Sequence, residues 1–321
     1  STLMRSSAAS DVYKRQHQYD PFDAAHGGPV IWNHLTTKDF VTYENRGPVL
    51  FPDSDLDSSG AYSGSAFVHD GKIHYFYTGN VKHFDRDDYD YVLTGREQNQ
   101  IHVVAENPDE LGEKRIAVGP VDYPDDIGTH VRDPKILEHD GIYYMVLGAR
   151  TKDDRGCVLV YTSSDLEDWS YATRIELGEK FGFMWECPGY IELDANGDTA
   201  AFLSFSPQGL EGGRWDRGNV YAAGYMPVTG DITGGDGVYE LGEFRLWDAG
   251  FDFYAPQEFT AEDGRHILIG WMGMPDEPTY GNAPTVACGW QHCMTVPREL
   301  TAGDGGVVLQ QPACEIERHY A

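Results

Sequence analysis

The chain has 321 residues, of which 40% are hydrophobic, with 20 Tyr, 14 Phe, 7 Trp and 37 Gly, and it carries a formal net charge of −28. That length suits one large domain or two ordinary ones, and the aromatic and glycine content favours strands joined by tight turns. The charge argues against nucleic acid or an anionic membrane surface as partner, since both are polyanions, and no run approaches the roughly 18 apolar residues of a membrane span.

In chain order, the opening segment Ser1 to Gln16 shows neither strand alternation nor the apolar core of a secretion signal. Its Asp11-Val12-Tyr13-Lys14-Arg15-Gln16 resembles translated mosaic-end adapter sequence from a sequencing library. Residues 1–16 are therefore set aside as a foreign tail, which leaves the native N-terminus out of view.

From residue 17 to 305 a loose repeat predicts the architecture. Each copy is a short polar motif, an alternating strand, an Asx-Gly turn and a second apolar strand. The copies start at Ser63, Val131, Glu186 and Phe253, intervals of 68, 55 and 67 residues, and turn at Asp70-Gly71, Asp140-Gly141, Asn196-Gly197 and Asp263-Gly264. Asx-Gly pairs supply the positive φ of hairpin turns. Outer strands are predicted between copies, over 157–161 and 219–223. The spacing fits four-stranded blades, so the expected fold is an all-β β-propeller, for which the family resemblance given below implies five blades. Radial symmetry then brings the polar motifs, with Ser63, Asp133, Glu186 and Asp252, to one axial hollow. Converging carboxylates are what glycoside hydrolysis requires.

The five cysteines (Cys157, Cys187, Cys288, Cys293, Cys314) are odd in number and form no CxxC pair. They read as free thiols of a reducing compartment, giving an expected cytoplasmic location, and no metal or cofactor is expected.

The motifs themselves resemble glycoside hydrolase family 32, the invertases and fructan hydrolases. Arg132-Asp133-Pro134 resembles that family's Arg-Asp-Pro motif, and Met184-Trp185-Glu186-Cys187-Pro188 its Glu-Cys motif. Tyr62-Ser63-Gly64-Ser65 stands for Phe-Ser-Gly-Ser, and Gln18-Tyr19-Asp20-Pro21 for Gln-Tyr-Asn-Pro. The likeness runs from Gln18 to Glu317 and is nearest the β-fructofuranosidase and sucrose-6-phosphate hydrolase types. It implies a retaining hydrolase that releases fructose from sucrose, sucrose-6-phosphate or short β-fructans, so the implied partner is a small carbohydrate.

By the same resemblance, Glu186 is the general acid/base and Asp133 stabilises the transition state. Like-charge repulsion from Asp133, with desolvation by Trp185, is expected to raise Glu186. Arg132 is expected to keep Asp133 ionised and to bind sugar. Gln18, Tyr62, Ser63 and Trp271 match positions lining the fructose subsite, with Trp271 equally assignable to blade core. Asp252 matches a carboxylate before a Phe-Tyr-Ala motif. Cys187 is read as small buried packing, because no His is placed to activate it.

Two departures stand out. His26 replaces a substrate-facing Trp, and the Asn-Asp-Pro-Asn-Gly motif carrying the nucleophilic Asp does not occur. A loop-length expectation of roughly 16 residues before Gln18 places that Asp inside the foreign tail, near Thr2, where no carboxylate stands; Asp11 and Asp20 are the nearest, and neither has the motif around it. The chain is therefore expected to have lost the nucleophile and the inner strand of blade one, to close its ring poorly and to be inactive. Residues 306–321 are expected to begin a linker to an absent C-terminal β-sandwich. The competing readings are a non-catalytic carbohydrate-binding propeller and a related five-bladed arabinan or xylan hydrolase. A phosphate-binding role for Lys152, Arg155 or Arg214 is left open.

Overall fold

A computed structural model describes residues 13–22, 29–107, 110–195, 197–210, 220–232, 238–274 and 283–320. Alternating apolar runs separated by tight turns give five antiparallel sheets, each a meander. The first holds β1 (Tyr13–Tyr19), β2 (Ile31–Thr37) and β3 (Tyr43–Leu50). The second holds β4 (Ala61–His69), β5 (Lys72–Lys82), β6 (Arg96–Asn107) and β7 (Glu110–Leu111), with β8 (Arg115–Val118) also on β6. The third holds β9 (Ile127–His139), β10 (Ile142–Thr151), β11 (Gly156–Ser163) and β12 (Ser170–Ile175).

In the fourth sheet β13 (Met184–Ala195), β14 (Asp198–Gln208), β15 (Gly224–Gly230) and β16 (Tyr239–Leu241) follow one another, and β17 (Arg245–Leu246) pairs with β15. The fifth joins β18 (Tyr254–Thr260), β19 (His266–Met272), β21 (Arg298–Gly303) and β22 (Val307–Pro312), with the short β20 (Cys293–Met294) on β19. This is a five-bladed β-propeller, and its first blade has three strands among the described residues.

The core lies between blades. Trp32, Leu50, Tyr75 and Tyr77 pack blade one on blade two, and Phe67, Phe76, Ile136 and Met145 pack two on three. Val146, Val158, Trp185 and Phe205 join three to four, and Ile191, Phe202, Tyr225 and Leu268 join four to five. Burial on both faces explains why strands such as β10 and β11 are nearly continuous apolar runs.

Two of the four expected Asx-Gly turns are two-residue hairpins with positive φ at both positions, Asp70-Gly71 (48° and 75°) and Asp140-Gly141 (51° and 75°). The third spans Ala195 to Asp198, with Gly197 at φ 95°. At the fourth, Thr260 pairs with His266, so the turn is a five-residue loop closed by a hydrogen bond from Ala261 N to Arg265 O.

Several boundaries differ from those expected. β1 begins at Tyr13, because backbone pairing with β2 (Tyr13 opposite Thr37 through Tyr19 opposite Ile31) needs no particular side chains. Gln16 is buried there and donates to the Tyr75 hydroxyl at 3.2 Å. β22 completes the fifth blade, so residues 307–312 belong to the propeller and not to a linker. The strand expected over 219–223 lies instead at Gly224–Gly230, where Tyr225 and Met226 reach the core. The ring is also not held open: Phe40 of blade one is buried against Phe259, Ile267 and Ile269 of blade five, with Phe40 and Phe259 ring centroids 6.5 Å apart.

Candidate active site

Each of the inner strands β4, β9, β13 and β18 carries a bulge at one level, where two residues face one on the next strand. The bulges span Ala61–Gly64, Arg132–Lys135, Glu186–Gly189 and Tyr254–Gln257. In three of them the second residue is a non-glycine at positive φ: Asp133 at 65°, Cys187 at 49° and Ala255 at 46°. Such a backbone costs on the order of 1–3 kcal/mol per residue and persists where the surroundings enforce it. A bulge also re-aims its side chains, and Pro134, Pro188 and Pro256 follow at positions where the ladder is interrupted and no N–H is needed. Gly148, opposite Arg132, lets blade four approach closely; a Cβ there would collide with the Trp185 carbonyl oxygen.

The aligned first residues Arg132, Glu186 and Tyr254 meet at the axis. One Glu186 oxygen, Oε1, accepts from Arg132 Nε at 2.8 Å and lies 2.7 Å from Arg132 Nη2. The other, Oε2, accepts from the Tyr254 hydroxyl at 2.5 Å and from Gln208 Nε2 at 3.1 Å. Asp133 is buried, and its Oδ2 accepts from Cys187 N at 2.8 Å and the Cys187 thiol at 3.5 Å. Its Oδ1 has no hydrogen-bond partner among the described residues, which leaves it available to a ligand hydroxyl.

Arg132 itself is held from behind. Its Nη1 reaches His130 Nδ1 at 3.1 Å and Gln98 Oε1 at 3.5 Å. Burial, then the charges of Arg132 and Arg96, push His130 down to about 2. The neutral ring then accepts at Nδ1 and donates its Nε2–H to the Tyr91 carbonyl at 2.8 Å. Burial opposes the Arg132 charge, but Glu186 and Asp133 outweigh it and hold the guanidinium ionised.

Burial first, and the Glu186 charge second, push the Asp133 carboxyl up to about 6. Asp133 is enclosed and lacks a direct ion pair. Arg132 bonds Glu186 instead of Asp133. Trp185 contributes nothing to the site: next to Glu186 in a strand, it faces the opposite side, is fully buried, stacks on Phe205 at 4.3 Å and donates to Phe181 O at 2.6 Å.

The remaining predicted residues divide. Ser63 is buried and accepts from Gln18 Nε2 at 3.3 Å. Tyr62 is half-buried and senses the charges of Arg96, Arg132 and Glu186, although burial is the main influence raising its phenol. Trp271 pairs with Tyr254 across β18 and β19, with ring centroids 6.5 Å apart, and also packs on the core between blades four and five. Its buried indole N–H has no hydrogen-bond partner among the described residues. Asp252 is exposed ahead of β18 and is not among the described groups bonded to Glu186. Chain alternation and the bulge give its expected place to Tyr254.

Burial raises the Cys187 thiol well above its ordinary value, as suits a packing residue, and all five cysteines are free. Asp20 caps the Phe22 N–H at 2.9 Å, while Asp11 and His26 lie outside the described residues. Lys152 and Arg155 donate to the carbonyls of Asp125 and Leu177, and Arg214 lies outside the described residues. The described trio that gathers like metal ligands, Glu299, Cys314 and Glu315, sits on the outer part of blade five with both carboxylates taken by Arg265. No helix among the described residues is long and apolar enough to cross a membrane.

Tyr254, Gln208, Gln98 and His130 were not singled out from sequence. Aligning the tripeptides Arg132-Asp133-Pro134, Glu186-Cys187-Pro188 and Tyr254-Ala255-Pro256 would have found Tyr254; the other three carry no local signal.

Five blades gathering a carboxylate pair at the axis define a propeller of the glycoside hydrolase class. The chain belongs to glycoside hydrolase family 32: residues 6–312 match the family model described as the glycosyl hydrolases family 32 N-terminal domain. It is 37% identical over 305 residues to the sucrose-6-phosphate hydrolase of Bacillus subtilis (strain 168), covering 94% of this chain and 60% of that protein. It is 34% identical to the raffinose invertase of Escherichia coli, covering 92% of this chain and 58% of the relative. The solved structure of sucrose-6-phosphate hydrolase from Lactobacillus gasseri superposes with a TM-score of 0.84 at 32% identity, over 98% of this chain and 62% of that one. A Bombyx mori family 32 β-fructofuranosidase mutant in complex with sucrose superposes with a TM-score of 0.79 at 27% identity, over 97% of this chain and 62% of that one.

Proposed function

We propose that this propeller binds a β-fructofuranoside at its axis and supplies the general acid/base and a stabilising carboxylate for release of fructose. The observation that carries the reading is Glu186, held at both oxygens by Arg132 and by Tyr254 with Gln208, beside the buried Asp133. Glu186 gives its proton to the leaving glycosidic oxygen as the bond to fructosyl C2 breaks, then takes one from the incoming water. Asp133 offers Oδ1 to ring hydroxyls, where its negative charge opposes the positive charge developing on the fructosyl ring. Gln18, Tyr62, Ser63 and Trp271 line the approach.

A retaining displacement also needs an attacking carboxylate about 5–5.5 Å from the acid. Neither Asp133, tied to Cys187, nor Glu186 has that role here, and the Asn-Asp-Pro-Asn-Gly motif does not occur in the chain. The 321 residues as written are therefore proposed to bind sugar without releasing fructose. The test is fructose release from sucrose by this chain and by one with an Asn-Asp-Pro-Asn-Gly hairpin placed before Gln18. Release only in the second supports the reading. Release by the first overturns it, and sugar binding without rescue points to a binding module.

A further inference from the structure

The inner strands run on past their bulges to the opposite mouth of the axis, where a cavity of about 650 Å³ opens among blades two to five. Tyr190 and Glu258 on its wall stand four residues beyond Glu186 and Tyr254 on β13 and β18. The bulge takes up one of those four, so at about 3.3 Å per residue the cavity begins about 10 Å from the level of Glu186. Lys135 of blade three is buried on this side, donates to the Glu258 carbonyl at 2.7 Å and pairs with Glu258 Oε1 at 2.7 Å, bridging blades three and five.

The cavity collects polar groups that the fold itself does not use. Tyr144 is only 9% exposed, yet its hydroxyl, like that of half-buried Tyr190, makes no hydrogen bond among the described residues. A buried tyrosine hydroxyl ordinarily has a partner. Glu258 is 5% exposed, and while its Oε1 meets Lys135, its Oε2 accepts no hydrogen bond among the described residues. Glu138 and Glu192 add two exposed carboxylates that have neither hydrogen bond nor ion pair among them.

Charge and spacing decide what fits. Among the described residues Lys135 is the only lysine or arginine on the wall and is already paired, so Glu138, Glu192 and Asp231 leave the cavity negative and closed to anions. Burial holds the His266 imidazole below its ordinary value although Glu258 and Glu192 pull it up, so it brings no charge at neutral pH, and His139 faces Asp140 at 3.5 Å. No three of these groups are close enough to share one metal ion; the described trio that is, Glu299, Cys314 and Glu315, lies elsewhere on blade five. An elongated cation with several charged ends meets all of them, and Phe67 and Phe259 supply apolar wall.

We infer that this far mouth is a second binding site, separate from the fructoside site, for a small aliphatic di- or polyamine. Its ammonium groups donate to Glu138, Glu192 and Glu258 Oε2 and to the Tyr144 and Tyr190 hydroxyls, and its methylenes lie on Phe67 and Phe259.

The test is calorimetric titration of the 321-residue chain with spermidine at about 0.15 M salt, which screens diffuse attraction to a chain of net charge −28. One spermidine should bind per chain, and sucrose should not displace it. Glu138→Gln/Glu192→Gln should weaken binding at least about tenfold and Tyr144→Phe about threefold. Asp55→Asn/Glu179→Gln, which removes the same charge from exposed positions elsewhere, should leave it unchanged. Spermidine should raise the melting temperature of the parent; the Glu138→Gln/Glu192→Gln variant should melt cooperatively without that rise, which separates loss of the site from loss of the fold. No binding by the parent, or equal weakening in the Asp55→Asn/Glu179→Gln control, overturns the inference. Displacement of spermidine by sucrose would move it to the fructoside site, and displacement by maltose would make the cavity a neutral-sugar site; either result overturns it as well.

Discussion

Replacing Asp133 with Asn changes the charge at the propeller axis while keeping its shape. In the folded chain burial and Glu186 push the Asp133 carboxyl from its ordinary value of 3.8 to about 6. Between about pH 4 and 6 the native state therefore holds a proton that the unfolded chain has released. Asp133 is neutral in effect below that window, its contribution turns against the fold as pH rises through it, and above it the cost levels off at about 3 kcal/mol.

His102 and His130 run the other way. Burial chiefly pushes them down to about 3 and about 2, so the unfolded chain takes up protons below about pH 6.5 and these two groups cost stability as pH falls. The pH profile of the parent alone mixes both signs, whereas the difference between parent and variant isolates Asp133. Urea unfolding of both at pH 4 and pH 8 measures it. Asp133→Asn should be stabilised relative to the parent by about 1–3 kcal/mol more at pH 8 than at pH 4. A difference constant to within about 0.5 kcal/mol would refute the electrostatic description of the site.

Two further substitutions probe the frame around that carboxyl. Arg132→Met leaves Glu186, 16% exposed, without its buried partner, and should cost about 3–5 kcal/mol in urea unfolding at pH 8; a loss under about 1 kcal/mol would mean the ion pair contributes as a surface pair does. Phe259→Ala removes the ring that Phe40 packs on between blades five and one, and should cost about 3–5 kcal/mol. An unchanged unfolding midpoint would show that those two blades do not support each other.

The propeller and the meeting of Arg132 with Glu186 were readable because their signals are local. Asx-Gly pairs fix hairpins, and the Arg132 and Glu186 tripeptides mark bulges that aim side chains at the axis. Tyr254 was missed because a carboxylate was sought in the fourth repeat, and Asp252 was the nearest one. The geometry repeats the position and not the chemistry, and a phenol meets Glu186 there.

The upward push on Asp133 could not be read from sequence either. It depends on Arg132 pairing with Glu186 rather than with its own neighbour Asp133, and on Asp133 being the more enclosed of the two. Gln98 and Gln208 reach the site from the third and second strands of their blades, respectively, a tertiary relation with no spacing to betray it. The propeller's limits were misplaced for a related reason, since edge pairing at Tyr13–Gln16 and at Val307–Pro312 is backbone bonding that tolerates almost any composition.

Glu186→Gln, placed in the chain that carries the Asn-Asp-Pro-Asn-Gly hairpin, asks most directly whether the proton donor is where the fold puts it. Fructose release from sucrose should fall by about 10²–10⁴-fold, while sucrose still binds the variant, because the amide keeps the shape and the contacts to Arg132 and Tyr254 are only weakened. A fall of less than about tenfold would place the acid on another residue and contradict the account.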